Sequence, residues 1–280
     1  CIVSRSFLNT FYFRSGKKCC CTFICEHGSL YGIVSSRIDE NGFERKRNFM
    51  IQISNLTKKY GETAVFSNLN YTFENTCIYG LVGRNGAGKT TLLNILSNYD
   101  KNYTGVISID RKKMNKVDYL DMPVAYAMDQ PSFFNELTIY ENLLLIASSR
   151  KIKKQEAFDK IERILDGLGL KKYENYSPLE LSKGTMQRLN NACAMIQEEK
   201  ITIFDEPFSG LDPVQMKLLE NVIVEFHKKE KGIYIISSHD IECLQNVCDK
   251  CLLLHNGQIR EINMEEVDRE EIAKILSEGE

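Results

Sequence analysis

The sequence has no long hydrophobic run. No uninterrupted stretch of apolar residues exceeds five, whereas a helix that crosses a bilayer needs about 20. Such short runs also fall below the usual length of the apolar core of a secretory signal. We therefore expect the chain neither to span a membrane by itself nor to carry a secretory signal.

The sequence also lacks an excess of basic charge. It has 36 lysine and arginine residues against 38 aspartate and glutamate residues, with a net charge of −2 and a pI near 6.2. Proteins that bind nucleic acid usually carry a basic surface, so we expect no nucleic-acid partner. Internal repeats and long coiled-coil heptads are missing as well. With 280 residues, of which 43% are hydrophobic, the chain is expected to bury a globular core.

The ten cysteines do not form a disulfide pattern. Half of them lie within the first 25 residues, and the others are scattered through apolar segments. The spacing of Cys243, Cys248 and Cys251 matches one iron–sulfur ligand pattern, but no fourth cysteine follows. We therefore predict buried free thiols and a reducing, cytoplasmic compartment.

Residues 1–49 differ from the rest of the sequence. They carry eight basic and four acidic residues and show no convincing helical or strand periodicity. A regular pattern begins at Met50. Purine-rich codons, which resemble a ribosome-binding site, can encode the stretch Glu44–Arg47 shortly before it. Our hypothesis is that translation starts at Met50 and that residues 1–49 are an over-extended reading frame. The alternative is a genuine, disordered basic arm.

From Met50 onward, short β-branched and aromatic runs alternate with longer amphipathic stretches, which is typical of a layered α/β domain. Between Asn135 and Glu199 the strand signals stop, and the sequence predicts consecutive helices. The predicted strands are Met50–Leu56, Cys77–Val82, Gly105–Asp110, Val124–Met128, Ile201–Asp205, Ile233–Ser237 and Cys251–His255. The predicted helices of the inserted block are Thr138–Ser149, Lys153–Leu168 and one that begins near Ser182.

A phosphate-binding loop is predicted at Gly83–Thr90, between an apolar strand and a helix-like segment. Glycines allow backbone N–H groups to converge on phosphate oxygens, and the helix that follows adds its positive dipole end. The lysine of this motif bridges the β- and γ-phosphates, and the hydroxyl after it is a Mg²⁺ ligand. The predicted nucleotide-binding residues are Gly83, Asn85, Gly86, Gly88, Lys89, Thr90 and Thr91.

A second motif is the apolar run Ile201–Phe204, which ends in two adjacent acids. At such a strand end in P-loop enzymes, the first acid orients Mg²⁺, and Asp205 fits that role. Glu206 is placed to polarise the attacking water, and Pro207 turns the chain away. Taken alone, the two acids are equally compatible with an ordinary solvated strand end.

Together these segments resemble the ATP-binding cassette (ABC) ATPase family, over essentially all of residues 50–280. The resemblance implies a RecA-like P-loop core with an antiparallel β subdomain and an inserted α-helical subdomain. It also implies Tyr60 as the residue that stacks on adenine, and Gln130 as a ligand of Mg²⁺ or of the attacking water. Asp212, in Ser209–Asp212, resembles the family's subunit-contact loop, and His239 resembles the switch histidine near the γ-phosphate.

The family's signature motif, Leu-Ser-Gly-Gly-Gln, is matched by Leu181–Thr185 with departures at its third and fifth positions. The residues that the family uses to hold the γ-phosphate of the opposite subunit's ATP are kept as Ser182 and Gly184. Lys183 adds positive charge, whereas Thr185 removes an amide side chain. Similar variants occur in bacterial drug and peptide exporters, so the resemblance favours export.

The resemblance further implies a dimer of two identical or different cassettes that bind ATP and Mg²⁺. Separate permease subunits would hold this dimer at the inner face of the membrane. Tyr126, Phe133 and Phe134 are candidates for a groove that receives a permease helix, with ordinary core packing as the alternative. We expect an extension (1–49), a core (50–134 and 200–262), a helical subdomain (135–199) and a C-terminal helix (263–280). Other hypotheses are a soluble ABC ATPase acting on ribosomes or chromosomes, and an unrelated P-loop kinase or GTPase.

Overall fold

The computed structural model describes residues 23–24, 30–31, 49–74, 76–117, 122–239 and 241–262. The predicted N-terminal extension therefore lies outside the described residues, apart from two short strand segments and residue 49. The predicted C-terminal helix, 263–280, lies outside them too. Both predictions stay untested.

From residue 51 onward the chain forms strands and helices, with three consecutive α-helices between β8 and β9. The strands are β1 (Phe23–Ile24), β2 (Leu30–Tyr31), β3 (Ile51–Tyr60), β4 (Thr63–Phe73), β5 (Cys77–Val82), β6 (Thr104–Ile109), β7 (Lys112–Lys113), β8 (Val124–Ala127), β9 (Ile201–Phe204), β10 (Ile233–Ser238), β11 (Lys250–His255) and β12 (Gln258–Ile262). The helices are α1 (Lys89–Leu96), α2 (Ile139–Ser149), α3 (Lys154–Gly167), α4 (Lys183–Met195), α5 (Pro213–Glu230) and α6 (Glu242–Gln245).

The central sheet has the strand order β12-β11-β5-β10-β9-β8. Its four pairings from β11 to β8 are parallel, and β12 pairs antiparallel with β11. Every residue of β5, β9 and β10 is buried, as expected for parallel strands that are covered on both faces. The carboxyl ends of β5, β8, β9 and β10 consequently lie along one edge, where the predicted phosphate loop and acids follow.

A second sheet, β4-β3-β6-β7, is antiparallel. The predicted strand Met50–Leu56 is longer in the structure, because β3 runs on to Tyr60. The sequence did not predict β4, and the reason lies in irregular pairing. Asn55 and Asn68 have positive φ, and the β3–β4 register shifts three times. These irregularities break the period-2 alternation on which a strand prediction depends.

The inserted helical block is confirmed. The structure has α2 and α3 within one residue of their predicted bounds. Thr138 caps α2 in a reciprocal arrangement with Glu141, which satisfies two N-terminal N–H groups of the helix. Ser182 caps α4 through a hydrogen bond from the backbone N–H of Thr185. Within the described residues, no helix combines the length and apolarity that a bilayer crossing requires.

Two hydrophobic clusters lie on opposite faces of the central sheet. Because side chains alternate along a strand, Ile78 and Val82 of β5 join the cluster on the side of the helical block. Tyr79 and Leu81 join the cluster shared with α1 and the antiparallel sheet. The α/β architecture that the sequence predicted is therefore confirmed, with the sheet edge fixed between two packed layers.

The cysteines that the structure describes are free thiols. Cys243 and Cys251 are buried, and Cys248 is half-buried. Burial raises the pKa of the Cys251 thiol to about 12 and that of Cys77 to about 11, so these thiols stay protonated at neutral pH.

Candidate active site

The loop between β5 and α1 has the backbone that phosphate binding requires. Gly86 and Gly88 have φ values of 79° and 101°, in the left-handed region that glycine adopts without strain. A Cβ atom at Gly88 would also lie 2.6 Å from Val65 Cγ1, and one at Gly83 would lie 2.8 Å from the carbonyl oxygen of Leu254. The loop is therefore fixed by glycines at both its ends.

Lys89, the first residue of α1, is buried, and its ammonium group points back into this loop. Its Nζ donates to the carbonyl oxygen of Gly83 at 2.7 Å and lies 3.5 Å from Glu206 Oε1. Asn85, Gly86 and Thr90 are exposed beside it. The arrangement presents one positive charge, a hydroxyl and a glycine-lined helix N-terminus on the same side of the sheet edge, which suits a polyphosphate.

Asp205 directly follows β9 and is completely buried. The hydroxyl of Ser237, on neighbouring β10, donates to its Oδ1 at 2.6 Å, and the hydroxyl of Tyr126 lies 3.4 Å from its Oδ2. Burial raises the pKa of Asp205, while hydrogen bonds from Ser237 and Thr90 act in the opposite direction. These bonds allow a carboxylate to persist in a place that water does not reach.

Glu206 has the left-handed φ of 49°, which directs its side chain away from that of Asp205 and towards the loop. Its backbone N–H donates to Ser237 Oγ at 2.9 Å, so a single serine holds both acids. Glu206 Oε2 lies 3.0 Å from His239 Nδ1. His239 is 61% exposed and the Glu206 side chain 20% exposed, so this pair faces solvent beside Lys89.

The oxygen donors near Thr90 fit a divalent cation. The Thr90 hydroxyl is hydrogen-bonded to Asp205, so a hydroxyl and a carboxylate lie within one ion's reach of each other. Mg²⁺ is a hard cation that is usually held by one or two such protein oxygens together with substrate phosphates and water. The donor set is therefore suitable for Mg²⁺ and needs no nitrogen or sulfur ligand.

Two further predicted residues lie apart from this cluster. Gln130 is exposed just after β8, and among the described residues no hydrogen bond links it to Asp205 or Glu206. Tyr60 was predicted in a turn, but it is the last residue of β3. Its ring is 55% exposed, with Lys58 Nζ 4.6 Å from the ring centroid. An exposed ring of this kind is available for stacking.

The signature segment forms the start of α4. Ser182 and Lys183 are exposed there, whereas Thr185 is buried. The Thr185 hydroxyl lies 2.9 Å from Ser182 Oγ and accepts a hydrogen bond from the guanidinium of Arg188. The threonine that replaces the family's glutamine is thus engaged within the chain, and it supports the capping serine.

Gly184 lies against the segment that contains the predicted subunit-contact loop. A Cβ atom there would lie 2.9 Å from the carbonyl oxygen of Gly210, so a larger residue would displace one of the two segments. Asp212 is exposed, and its carboxylate caps α5 by accepting from the backbone N–H of Gln215 at 2.9 Å. The structure therefore places Ser182, Gly184 and Asp212 on adjoining segments.

Tyr126, one of the three residues predicted to line an aromatic groove, belongs to the acid cluster instead. Its hydroxyl donates to Asn94 Oδ1 at 3.0 Å and lies near Asp205. Burial and the negative charge of Asp205 raise the pKa of Tyr126, so the phenol stays protonated. Phe133 and Phe134 are half-buried, and Phe133 packs against the core cluster on the helical side.

Sequence reasoning missed Ser237 and Tyr126 as members of the site. Ser237 lies one residue beyond the pair Ile236–Phe204 in the β10–β9 register, and this register places it beside Asp205. A serine at the end of a buried strand is a weak signal on its own. Only the strand order makes it a neighbour of both acids.

Comparison with known proteins agrees with this geometry. The family model described as "ABC transporter" matches residues 66–209. The chain belongs to the ABC transporter family. It is 32% identical over 208 residues to an uncharacterised ABC transporter ATP-binding protein of Methanocaldococcus jannaschii. The match covers 74% of this chain and 75% of the relative. This ABC protein is therefore an ATP-binding cassette with ATP-hydrolase activity.

Two other ABC relatives have more specific names. The bacitracin transport ATP-binding protein BcrA of Enterococcus faecalis is 30% identical over 223 residues, which are 79% of this chain and 71% of the relative. The tungstate uptake ATP-binding protein TupC of Peptoclostridium acidaminophilum is 30% identical over 211 residues, which are 75% and 97% of the two chains. A solved ATP-binding subunit of an ABC transporter is 26% identical, with a TM-score of 0.70, and the match covers 82% of this chain and 95% of that one.

Proposed function

We propose that this cassette is the ATP-hydrolysing subunit of an ABC transporter, that it works as a dimer, and that it drives a separate membrane permease. The observation that supports this most directly is the cluster at the carboxyl edge of the central sheet. There Lys89 and His239 lie 3.5 Å and 3.0 Å from the two carboxylate oxygens of Glu206. A glutamate between two such groups, next to a phosphate loop, suits attack of water on a phosphate.

In the proposed mechanism, the glycine loop and Lys89 hold the β- and γ-phosphates of ATP. Glu206 accepts a hydrogen bond from the attacking water and orients it in line with the leaving group. His239 fixes the Glu206 carboxylate and lies where it can contact the γ-phosphate. Thr90 and Asp205, with Gln130, would hold Mg²⁺, which neutralises charge on the phosphates when bound.

The dimer proposal depends on the exposed start of α4. Ser182 presents a hydroxyl at a helix N-terminus, with Lys183 exposed beside it, and such a terminus favours an anion. In the proposed head-to-tail pair, this end of α4 meets the γ-phosphate of the ATP that the partner cassette binds. Closure then needs ATP in place, and hydrolysis reopens the pair.

The permease and the direction of transport are further parts of the proposal. Phe133 and Phe134 are the remaining candidates for the surface that receives a permease helix, which would place the cassette on the inner face of the membrane. We propose export, because Lys183 and Thr185 alter the signature as in drug and peptide exporters. The names of the relatives cover bacitracin transport, tungstate uptake and methionine import, so the proposed direction depends on the signature alone.

The decisive experiment is the variant Glu206→Gln, which keeps the size of the side chain but weakens its ability to accept the water proton. We expect hydrolysis to fall by about 100-fold or more, with ATP still bound and an ATP-dependent dimer in size-exclusion chromatography. Glu156→Gln, on the exposed surface of α3, is the matched control and should hydrolyse ATP normally. Normal turnover by Glu206→Gln would contradict the catalytic role.

The same variant tests the permease. Tagged Glu206→Gln cassettes, extracted from native membranes in the presence of ATP, should retain a polytopic membrane protein. Everted vesicles that contain this membrane protein with the unaltered, hydrolysing cassette should accumulate the cargo only if transport is outward. Recovery of ribosomes or chromosomal DNA in place of a membrane protein would support the soluble alternative.

A further inference from the structure

Three amide side chains lie on one face of α4. Asn190 and Asn191 lie three and four residues after Gln187, so the three side chains lie within a sector of about 100° around the helix. Asn190 is 5% exposed and Asn191 is completely buried. Leu189 and Ala192 of the same helix belong to the neighbouring core cluster.

Each of these amides donates to a backbone carbonyl next to the active site. Asn190 Nδ2 donates to the carbonyl oxygen of Met128 at 2.7 Å, and Asn191 Nδ2 to that of Pro207 at 3.2 Å. Gln187 Nε2 donates to the carbonyl oxygen of Glu206 at 3.3 Å. We call these three residues the α4 amide bridge.

The bridge joins two loops that share no strand. Met128 precedes Asp129 and Gln130 at the end of β8, whereas Glu206 and Pro207 follow β9. Since β8 and β9 are parallel neighbours, the two loops leave the sheet side by side. A backbone hydrogen bond from Asp205 to the carbonyl oxygen of Ala127 joins the two strand ends directly. Beyond that bond, the amide bridge links both loops to α4.

Helix stability does not favour these residues, because asparagine is a weak helix former. Asn191 also keeps its Oδ1 without a hydrogen-bond donor among the described residues, which costs free energy when an acceptor is buried. What the two asparagines contribute is a donor for the carbonyl oxygens of Met128 and Pro207, and a leucine would leave these acceptors without that donor.

Ser182 caps the start of the helix that carries the bridge. From its first residue to Asn191, α4 extends over about 12 Å, and a helix of this length moves as one body. We propose that Asn190 and Asn191, with Gln187, are positioning residues that couple the Ser182 end of α4 to the spacing between the Gln130 loop and the Glu206 loop. The inference rests on the proposed function, because it assumes that these loops carry the ATPase chemistry.

This arrangement has a specific consequence for the reaction. When the Ser182 end of α4 is held by an anion, the bridge holds both loops in one arrangement, with Glu206 ready to orient water. Without either link, α4 can shift while one loop stays behind. Asn190 links α4 to the Gln130 loop, and Asn191 and Gln187 together link it to the Glu206 loop. These two connections therefore act in series, and the loss of either one is equivalent to the loss of both.

The test uses three variants of the full chain: Asn190→Leu, a paired variant with Gln187→Leu and Asn191→Leu, and a combined variant with all three substitutions. We expect Asn190→Leu and the paired variant each to lower kcat for ATP hydrolysis about tenfold, since small displacements of catalytic groups are costly. KM for ATP and the affinity for a fluorescent ATP analogue should stay unchanged. In the combined variant kcat should also fall about tenfold, because a broken series link cannot be broken again. A fall of about 100-fold, the product of independent effects, would overturn the proposal.

Gln197→Leu is the matched control. Gln197 is a half-buried amide just beyond the end of α4 that donates to the carbonyl oxygen of Cys193 and accepts from the guanidinium of Arg150, neither of which belongs to the Gln130 loop or the Glu206 loop. This variant should lose thermal stability while it keeps kcat per folded molecule. A similar fall of kcat in the control would show a general effect of amide loss and would overturn the specific role.

Hydrogen exchange gives a readout that does not depend on activity. Asn190→Leu should speed amide exchange at residues 128–130, and the paired variant Gln187→Leu/Asn191→Leu at residues 208–210, with the rest of α4 unchanged. Unchanged kcat in both variants, while Glu206→Gln is inactive, would remove the bridge from the mechanism and leave the proposed function standing. Absence of ATP hydrolysis by the unaltered chain would instead contradict both.

Discussion

The buried charge of Asp205 shows how one residue is placed for chemistry at the expense of stability. Its side chain is fully buried, and burial raises the pKa of its carboxyl. Three hydroxyl groups, on Ser237, Tyr126 and Thr90, surround it, but Lys89 pairs with Glu206 instead. A raised pKa means that the folded protein binds the Asp205 proton more tightly than the unfolded chain does.

The variant Asp205→Asn should therefore be more stable at neutral pH, although inactive. Because the folded-state pKa is raised, the favourable contribution of the protonated acid is present at low pH and is lost as the pH rises through the folded-state pKa. In the absence of nucleotide, thermal unfolding should show a higher Tm for Asp205→Asn at pH 7, and a smaller difference as the pH falls.

Asp159→Asn is the control for this pH series, because Asp159 is exposed on α3 and should change Tm little at any pH. A Tm for Asp205→Asn that lies below that of the unaltered chain at pH 7, or a gap that widens towards low pH, would show that Asp205 is a stabilising charge in the folded state.

At this scale the sequence predicted the residues that stand in motifs. Each of these motifs follows a strand that is apolar enough to identify from the sequence. The residues are the glycines of the phosphate loop, Lys89, Asp205 and Glu206. Ser237 and Asn190 were not predicted, because their partners are backbone or side-chain atoms of other strands. No local sequence pattern determines which strands are neighbours in the sheet.

Among the elements, α3 is joined to the core by a buried ammonium group. Lys160 is almost fully buried, and its Nζ lies 2.7 Å from Glu198 Oε1 and 3.0 Å from Glu230 Oε1. Glu230 ends α5 and also accepts from the hydroxyl of Tyr234 at 2.6 Å. The helical block thus contacts the core through a charged group that depends on its partners.

The variant Lys160→Met should lower the free energy of unfolding by about 3 kcal/mol, because it leaves two partly buried carboxylates without their cation. Urea unfolding, followed by circular dichroism, measures the change. Adding Glu198→Gln and Glu230→Gln should recover most of the loss, since the triple variant has no uncompensated charge.

Lys154→Met provides the comparison, because Lys154 is exposed at the start of the same helix and its removal should change stability by under about 1 kcal/mol. An equal loss in Lys154→Met and Lys160→Met, or no recovery in the triple variant, would show that the ion pairs of Lys160 are not the cause.

Elements were predicted best where their ends carry a signal. Thr138 and Ser182 stand where a helix cap is expected, and α2 and α4 begin one residue later. The strand β12 was not predicted, since only two of its five residues are apolar and it lies at the edge of the sheet. Partial exposure weakens the alternation on which such predictions depend.

At the scale of the whole molecule, the order of the strands was not derivable from periodicity. In the central sheet, β10 lies between β5 and β9. The strands β8 and β9 are neighbours in this sheet, although the helical block separates them by 73 residues of sequence. The layered α/β class and the helical block between residues 135 and 199 followed from sequence patterns, whereas the antiparallel sheet was implied by family resemblance. Both parts of that prediction agree with the structure.

A dimer with composite sites can be tested by mixing two inactive variants. Glu206→Gln loses the water-orienting acid, and Ser182→Arg places a bulky side chain where the partner's γ-phosphate is proposed to bind. In a mixed dimer, one site combines both defects, and the other combines an intact Glu206 with an intact Ser182. Equal amounts, mixed before ATP is added, should regain about a quarter of the unaltered activity, since half of the dimers are mixed and each has one working site.

The recovery should depend on total protein concentration, because it requires association, and it should disappear when both substitutions are placed in the same chain and mixed with no other. A Ser182→Arg variant that is fully active alone would show that each cassette completes its own site. Two inactive variants that stay inactive when mixed, although cross-linking shows that they form mixed dimers, would exclude a site shared between the cassettes in the proposed manner. Activity near a quarter requires that Glu206 of one chain and Ser182 of the other act on one γ-phosphate.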